Sequence, residues 1–259
     1  MMPAARAFYR SGCYAQPPEK VSVGQSQPLP LRRLCLTLLV LCALFTGACR
    51  KQEQSKAFID FLETRVIAAV GTDRVRMSDA TRKKVGNYGK HFDVIATHAK
   101  ELDDINARLT GEKMRIAAHG PVPMDKLGSE RVRIEQLVAV FSRSAQQVDV
   151  VKARADAAKT ALKQPEDVRA VFDKAYEKEV SGYAAALQEL YVVQKVFYAE
   201  VARMGMFFEK HREKIQIKNK TVTIDEQALV TEYNVLQLSL QEKAGKMRAA
   251  LASGRSLAR

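Results

Sequence analysis

The chain of 259 residues contains no tryptophan, and aromatic residues make up only 7% of it. Glycine and proline are sparse, at 13 and 8 residues, which excludes collagen-like and low-complexity chains and argues against a turn-rich all-β fold. All cysteines precede Arg50, so the chain beyond them can form no internal disulfide and no thiolate metal site. What is abundant is Ala, Leu, Lys, Glu, Gln and Arg, the residues that favour helices.

Residues 1–33 carry scattered prolines and no sustained periodicity, and we interpret them as an unstructured leader. They end in the pair Arg32 and Arg33, which precedes an apolar run over 34–48 with small residues at its end. This order is typical of a secretory signal peptide, whereas a spanning helix needs roughly 20 apolar residues. We therefore expect 34–48 to be the hydrophobic region of a cleaved signal, with an uncleaved membrane anchor as the alternative.

Cys49 stands where the apolar run ends and a polar stretch begins. The small residues before it resemble the lipobox of bacterial lipoproteins, with Thr46 where a leucine is more usual. The resemblance implies that Cys49 is acylated and that 49–55 form a lipidated tether. Several acyl chains on one residue hold a protein firmly to a bilayer. The alternative is an ordinary apolar cysteine, a reading that also fits Cys35 and Cys42.

The residue after the cysteine bears on the membrane to which the chain is sorted. In Gram-negative lipoproteins an aspartate at this position tends to retain the protein at the inner membrane, and here the residue is Arg50. The resemblance therefore implies the periplasmic face of the outer membrane. Removing the five basic residues and one acidic residue of 1–48 lowers the formal charge from +13 to +9. This charge favours an anionic partner, such as anionic lipid or an acidic envelope polymer, and nucleic acid is not expected.

The rest of the chain predicts one helical domain over 56–252, followed by a basic tail over 253–259. The fold class that we expect is all-α, an elongated bundle of long amphipathic helices. The run over 79–109 is the most regular and predicts one continuous helix. Its seam includes Asn106, which either fixes the register or lies exposed near a fraying end. Helical spacing also occurs over 56–70, 124–164, 166–208 and 229–251.

Local signals predict where the helices begin and end. Ser78, followed by an aspartate, is an expected N-cap, and the Gly-Pro-Val-Pro sequence at 120–123 is an expected loop. Pro165 can end one helix and open the next, and a break is expected near Gly182. Apolar and polar residues alternate on both sides of a turn within 214–225, which predicts a small β-hairpin.

No sequence motif for catalysis or nucleotide binding is found. A nucleophile elbow, a P-loop, a dinucleotide fingerprint and H-E-x-x-H are all absent. His91 and His98 are seven residues apart on one helix, about 10 Å, which is too far for shared ligation. We expect solvent-exposed histidines rather than a metal site, and no cofactor. The histidines are His91, His98, His119 and His211.

Acidic and basic groups are also expected to lie on the surface. Adjacent carboxylates on a helix point about 100° apart, so surface ion pairs with Lys100, Lys174 and Lys178 are expected rather than a catalytic pair. The basic stretches either attract anionic head groups near the anchor or are solvated helix faces. The acidic groups are Asp103-Asp104, Glu166-Asp167 and Glu177/Glu179, and the basic stretches are at 74–76, 82–84 and 211–214.

Several short sequences, in this order, resemble the YiaF-type bacterial lipoproteins, a family classed as a domain of unknown function. They are KAFIDFL at 56–62, DAA at 156–158, ALKQ at 161–164, VFDKA at 171–175 and EYN at 232–234. The resemblance covers about 49–250 and is firmest over 153–175. It implies the location and the fold class, and it brings no catalytic residues because the family has none assigned.

From these observations we expect a non-enzymatic, lipid-anchored periplasmic protein with a structural or binding role. The alternative is a periplasmic carrier that holds an apolar or lipid ligand between its helices. A carrier would need an enclosed apolar pocket.

Overall fold

The computed structural model describes residues 50–70, 74–218 and 221–257, so the predicted leader, signal segment and Cys49 lie outside it. The predicted fold class is confirmed, because the described chain is mainly helical and its strands form one antiparallel hairpin. The elements are α1 (50–61), α2 (Asp79–Val85), α3 (Tyr88–Ile116), α4 (Arg131–Thr160), α5 (Glu166–Tyr176), α6 (Gly182–Lys210), β1 (Ile215–Lys218), β2 (Thr221–Ile224) and α7 (Gln227–Leu257).

Helix α1 continues without interruption into a π-helical turn at Leu62–Ile67. The amide of Ala68 donates to the carbonyl of Glu63 at 3.0 Å, the wider spacing of a π-helix. Residues 50–55, which the sequence assigned to a tether, are already helical. One face of this segment is buried, so it packs into the core; its buried residues are Ser55, Phe58, Phe61, Leu62 and Val66.

The run over 79–109 is two helices, so the prediction of one continuous helix is wrong. Ser78 caps α2 as predicted, since its hydroxyl accepts a hydrogen bond from the Thr81 amide at 3.2 Å. Helix α2 then ends at Gly86, whose φ of +58° strains any residue with a Cβ. Val85 and Phe92 are both buried, so the apolar spacing continues across this corner and resembles that of a single helix.

The middle of the chain follows the predicted loops with shifted helix ends. Helix α3 passes the predicted end at Leu109, and the loop at 120–123 follows it. Helix α4 begins at Arg131 rather than at 124, because Met124–Lys126 form a separate 3-10 turn. Pro165 is the N-cap residue of α5 and so opens this helix as predicted, whereas α4 already ends at Thr160 rather than at residue 164.

The predicted break near Gly182 is absent from the described chain. Helix α5 passes into α6 through a π-helical turn at Glu177–Ser181, and Gly182 keeps a helical φ of −64°. A glycine inside a helix costs only about 1 kcal/mol relative to alanine, which the packing of the surrounding turns can outweigh.

The predicted hairpin is confirmed within 214–225. Ile215 pairs with Ile224 and Ile217 with Val222. Ile215 is buried against the helices, which supports a two-stranded sheet that would be marginal alone. Helix α7 extends through Ser253–Gly254 to Leu257, so most of the predicted basic tail over 253–259 is helical.

Helices α3 and α4 are antiparallel neighbours, and α5 and α6 together run back along α4. Contacts that show these directions are Arg154 with Glu101 (2.9 Å), Arg143 with Glu112 (2.7 Å), Tyr176 with Asp156 (2.9 Å) and Phe141 with Tyr198 (5.6 Å between rings). One end of the bundle, where α1 lies against α2, the start of α3 and the α4–α5 loop, is called the α1 end. The other, where the hairpin and the start of α7 pack on the end of α6, is called the hairpin end.

Candidate functional site

The candidate site is the α1 end, because Cys49 immediately precedes α1 in the sequence. Two ring pairs hold α1 against α3. Phe58 stacks on Tyr88 with 5.3 Å between centroids, and Phe61 meets Phe92 edge-on at 5.0 Å. Such pairs contribute about 1 kcal/mol each beyond burial, so α1 is an integral part of the packed core.

His91 lies beside the same aromatic residues. Its ring is 6.4 Å from that of Phe58 and 5.2 Å from that of Tyr88, both nearly perpendicular. The side-chain nitrogen of Gln164, in the α4–α5 loop, lies 3.0 Å from Nδ1 of His91. The amide nitrogen can donate to Nδ1 when the imidazole is neutral and its proton is on Nε2. Burial lowers the pKa of His91, which favours this neutral form.

The prediction of solvent-exposed histidines is wrong for those whose side chains are described. His91, His98 and His211 are all half-buried, and the side chain of His98 is 12% exposed beside Glu101. His211 packs on Phe207 at 5.2 Å between centroids. The side chain of His119 is outside the described set. Within 50–70, 74–218 and 221–257, no group of three or more His, Cys, Asp or Glu could hold a metal ion.

The predicted carboxylate pairs are split between different partners. Asp104 forms the expected surface pair with Lys100 at 2.6 Å, but Asp103 binds Arg74 instead. Nε and Nη2 of Arg74 donate to the two Asp103 oxygens at 2.8 and 2.9 Å, and Nη1 donates to Glu179 at 2.8 Å. We call Arg74, Asp103, Glu179 and the ring of Tyr183 beneath the guanidinium the Arg74 latch.

The latch is a satisfied structural site. The Cζ atom of Arg74 is 4.4 Å from the centroid of the Tyr183 ring, within the range of a cation–π contact. Burial opposes the charge of Arg74, but its two carboxylate partners outweigh it and raise the pKa of the guanidinium. Burial and the nearby Asp103 raise the pKa of Tyr183 to about 12. The guanidinium of Arg74 therefore stays charged at neutral pH, and its hydrogen bonds pair it with the two carboxylates.

Lys178 does not form the predicted surface ion pair. It follows Glu177 in the π-helical turn, and its Nζ donates to the backbone carbonyls of Val66, Ile67 and Ala69. These carbonyls belong to the last turn after α1, where no further helical amides are available. Lys178 therefore caps this segment and, with the adjacent latch, fixes it to α3 and α6.

A second polar cluster lies where α4 meets α5, and we call it the α4–α5 cluster. Asp156 accepts from Lys152 at 2.6 Å and from the Tyr176 hydroxyl at 2.9 Å. Lys159 lies 4.8 Å from the centre of the Tyr176 ring and pairs with Asp173 at 2.8 Å. Burial alone would raise the pKa of Asp156, but these hydrogen bonds and lysine charges lower it. Burial and Asp156 in turn raise the pKa of the Tyr176 hydroxyl.

The predicted basic stretches have different surroundings. Arg82 is held by Asp93 at 2.7 and 2.9 Å, while Lys83 and Lys84 are exposed at the α1 end. At the hairpin end, Lys214 pairs with Glu226 at 2.5 Å. The aromatic residues of α6 belong largely to the core. Tyr191, Phe207 and Phe208 are buried, and Tyr183, Phe197 and Tyr198 are half-buried.

Two grooves follow the α3–α4 interface, with volumes of about 420 and 670 Å³. Both are open to solvent and lined largely by charged and polar side chains, with Arg143 shared between them. Neither is the enclosed apolar pocket that a carrier needs, and the carrier alternative stays a prediction. Among the described helices, none is long and apolar enough to cross a membrane.

Comparison with known families identifies the group to which this bundle belongs. The family described as "Protein of unknown function (DUF3053)" matches residues 35–254, which is most of the chain. The chain belongs to the DUF3053 family. The matched range reaches beyond the 49–250 covered by the resemblance and includes part of the predicted signal segment.

Curated relatives of this DUF3053 chain carry the name "Uncharacterized protein YiaF". Those of Escherichia coli strain K12 and of Shigella flexneri are each 25% identical over 205 residues, covering 78% of this chain and 85% of theirs. No solved structure matches the chain. The relationship to YiaF is therefore distant, and the name of this relative implies no activity.

The stretch in which the family resemblance is firmest lies where α4 meets α5. Residues 153–175 span the end of α4, the loop at 161–165 and most of α5. They include three members of the α4–α5 cluster and Gln164, which contacts His91. The signal that could have located the cluster was the spacing of Lys152 and Asp156, an i, i+4 pair on one helix face.

Proposed function

We propose that this DUF3053 chain is a non-enzymatic lipoprotein, anchored by acylated Cys49 on the periplasmic face of the outer membrane. Its helical bundle would serve there as a structural or binding module. The observation that carries the proposal is the position of Cys49, between the apolar run over 34–48 and α1. Since α1 is described from residue 50 and packs into the core, the lipid would attach directly beside the bundle.

The surroundings of the charged groups support a non-enzymatic role. Arg74 is engaged by two carboxylates, Lys178 by backbone carbonyls, and Asp156 by a lysine and a tyrosine. These groups stabilise helix contacts and leave no free nucleophile or base beside a cleft in either cluster.

Replacing the lipid-bearing cysteine tests the anchor. Cys49→Ala should abolish acylation, so the precursor should accumulate and labelled fatty acid should no longer be incorporated. Inhibition of lipoprotein signal peptidase should also cause the wild-type precursor to accumulate, because cleavage follows acylation of the cysteine. Cys42→Ala is the matched control, since it removes a cysteine from the apolar run and should behave like the wild type. A Cys49→Ala chain that incorporates lipid and fractionates like the wild type would show that the anchor assignment is wrong.

The choice of membrane can be tested separately. Arg50→Asp places an aspartate after the acylated cysteine and should move the protein from the outer to the inner membrane on a density gradient. Arg50→Lys keeps the charge and should leave the distribution unchanged. Inner-membrane localisation of the wild type would contradict this part of the proposal.

A further inference from the structure

The corner between α2 and α3 lies directly beside α1. A Cβ on Gly86 would collide with the side-chain amide of Gln54, and Tyr88 stacks on Phe58. The corner is therefore at the level of Gln54, and Arg50 lies about one helical turn further toward the amino end. An acyl group on Cys49 would bring this corner to the membrane surface.

Four exposed lysines surround the corner, and we call them the corner lysines. Lys51 precedes Gln54 by three residues on the same face of α1, and Lys90 lies in the first turn of α3. Lys83 and Lys84 lie in the last turn of α2. The carboxylate of Asp93 pairs with the neighbouring Arg82 at 2.7 Å. Within the described chain, none of the corner lysines forms an ion pair with a carboxylate.

Acidic residues at the same end do not cancel these charges. Asp93 is already paired with Arg82, and Asp79 lies at the opposite end of α2 from Lys83 and Lys84. The remaining acids are Glu53, Asp60, Glu166 and Asp167, but the exposed Arg50, Lys56 and Lys163 add positive charge to that of the corner lysines. Electrostatic attraction between exposed lysines and anionic head groups acts within about 8 Å at physiological salt, so only charges at the α1 end would contribute.

We infer that the corner lysines bind anionic lipid head groups and hold the bundle with its α1 end against the bilayer. The inference rests on the acylation of Cys49 proposed above, since the anchor brings the corner to the surface. The hairpin end would then project away from the bilayer, because α3 alone, with 29 residues, is about 43 Å long.

Amine labelling of the acylated full-length protein in vesicles tests this orientation. The protein is reconstituted in phosphatidylcholine, or in phosphatidylcholine mixed with phosphatidylglycerol, and labelled with a membrane-impermeant reagent at low salt. We expect labelling of the corner lysines to fall several-fold in the anionic vesicles and to recover at high salt. Lys210 and Lys218, exposed at the hairpin end, are the internal control and should be labelled equally in both.

Charge reversal supplies the matched variants. Lys83→Glu/Lys84→Glu should remove the difference between vesicles at Lys51 and Lys90, whereas Lys210→Glu/Lys218→Glu should retain it. Equal labelling of the wild-type corner lysines in both vesicles would overturn the inference, as would protection that persists at high salt. The mass of the Cys49 peptide from the same sample separates the two proposals. An unmodified cysteine contradicts the proposed anchor and the inference built on it, whereas an acylated cysteine with unprotected lysines contradicts only the inference.

Discussion

Arg74 donates two parallel hydrogen bonds to Asp103, of 2.8 and 2.9 Å, although the two residues are 29 positions apart in the chain. Its third bond reaches Glu179, which is 105 positions away. The Glu179 side chain is only 13% exposed, and that of Arg74 is 29% exposed. A bidentate, partly buried pair is less screened by solvent than a surface pair, so the latch should contribute measurably to stability.

Removing one charge from the latch should destabilise the bundle. Glu179→Gln is expected to lower the free energy of unfolding by about 1–2 kcal/mol, because Arg74 loses a charged partner in a partly buried site. The control is Asp104→Asn, which breaks an exposed i, i+4 pair with Lys100 and should cost less than about 0.5 kcal/mol. Urea denaturation of both variants measures the difference. Equal losses would mean that the latch is energetically an ordinary surface pair.

Two glycines in long helices should respond to alanine in opposite directions. A Cβ on Gly205 in α6 would lie 2.6 Å from the carbonyl oxygen of Leu127, so Gly205→Ala should cost about 1–3 kcal/mol through overpacking. Gly111 in α3 has open space around its Cβ position, and Gly111→Ala should stabilise by about 0.5–1 kcal/mol. Thermal unfolding should show a lower midpoint for the first variant and a higher one for the second. A stabilising Gly205→Ala would contradict the close packing of α6 on residue 127.

His91 should make stability depend on pH near neutrality. Burial lowers its pKa below the ordinary value of 6.5, so the unfolded chain binds the proton more readily than the folded chain. Its contribution is complete above pH 6.5 and is lost as the pH falls from 6.5 through the lower, folded-state pKa. In His91→Gln this part of the pH dependence should disappear, whereas His98→Gln should keep it. The free energy of unfolding is measured across this pH range for both proteins. The same pH dependence in the wild type and in His91→Gln would count against a neutral, half-buried ring.

The α4–α5 cluster should contribute at more acidic pH. The pKa of Asp156 is lowered from 3.8, chiefly by Lys152 and Tyr176 acting against burial, so its contribution is complete above that pH. It declines as the pH falls from 3.8 through the folded-state pKa. Asp156→Asn should therefore be less stable than the wild type at neutral pH, by up to about 1 kcal/mol, and the gap should close in acid. Tyr176→Phe should show a smaller gap, and a gap independent of pH would exclude a charged Asp156.

The role of Asn106 could not be decided from the spacing of apolar residues along its helix. Its two interpretations, a register-fixing seam position or an exposed residue near a fraying end, were equally compatible with the spacing. In the structure α3 continues to Ile116, and the buried Tyr191 hydroxyl donates to Asn106 Oδ1 at 3.0 Å. The polar partner lies 85 residues away, so only the packing of α6 on α3 decides between the two.

The mistaken boundaries have related physical causes. Gly86 adopts a positive φ, whereas Gly182 stays helical. Both are glycines, so the residue type by itself does not predict which conformation is adopted. Their conformations depend on neighbours: Gln54 occupies the space of a Cβ at Gly86, and the π-helical turn carries the chain through Gly182. Helix α7 likewise continues through Gly254, where the sequence predicted its end.

The helix periodicity, the Ser78 cap, the proline at 165 and the alternation around the hairpin depend on interactions within a few residues. The sequence alone therefore determined these local features and the fold class. The contacts of Arg74 with Asp103 and Glu179, of His91 with Gln164, and of Gly86 with Gln54 join segments far apart in the chain. Such contacts depend on which helix faces pack together, and side-chain spacing along one helix carries no information about that. Tertiary structure therefore decided which charged side chains form ion pairs within the bundle and which stay exposed at the α1 end.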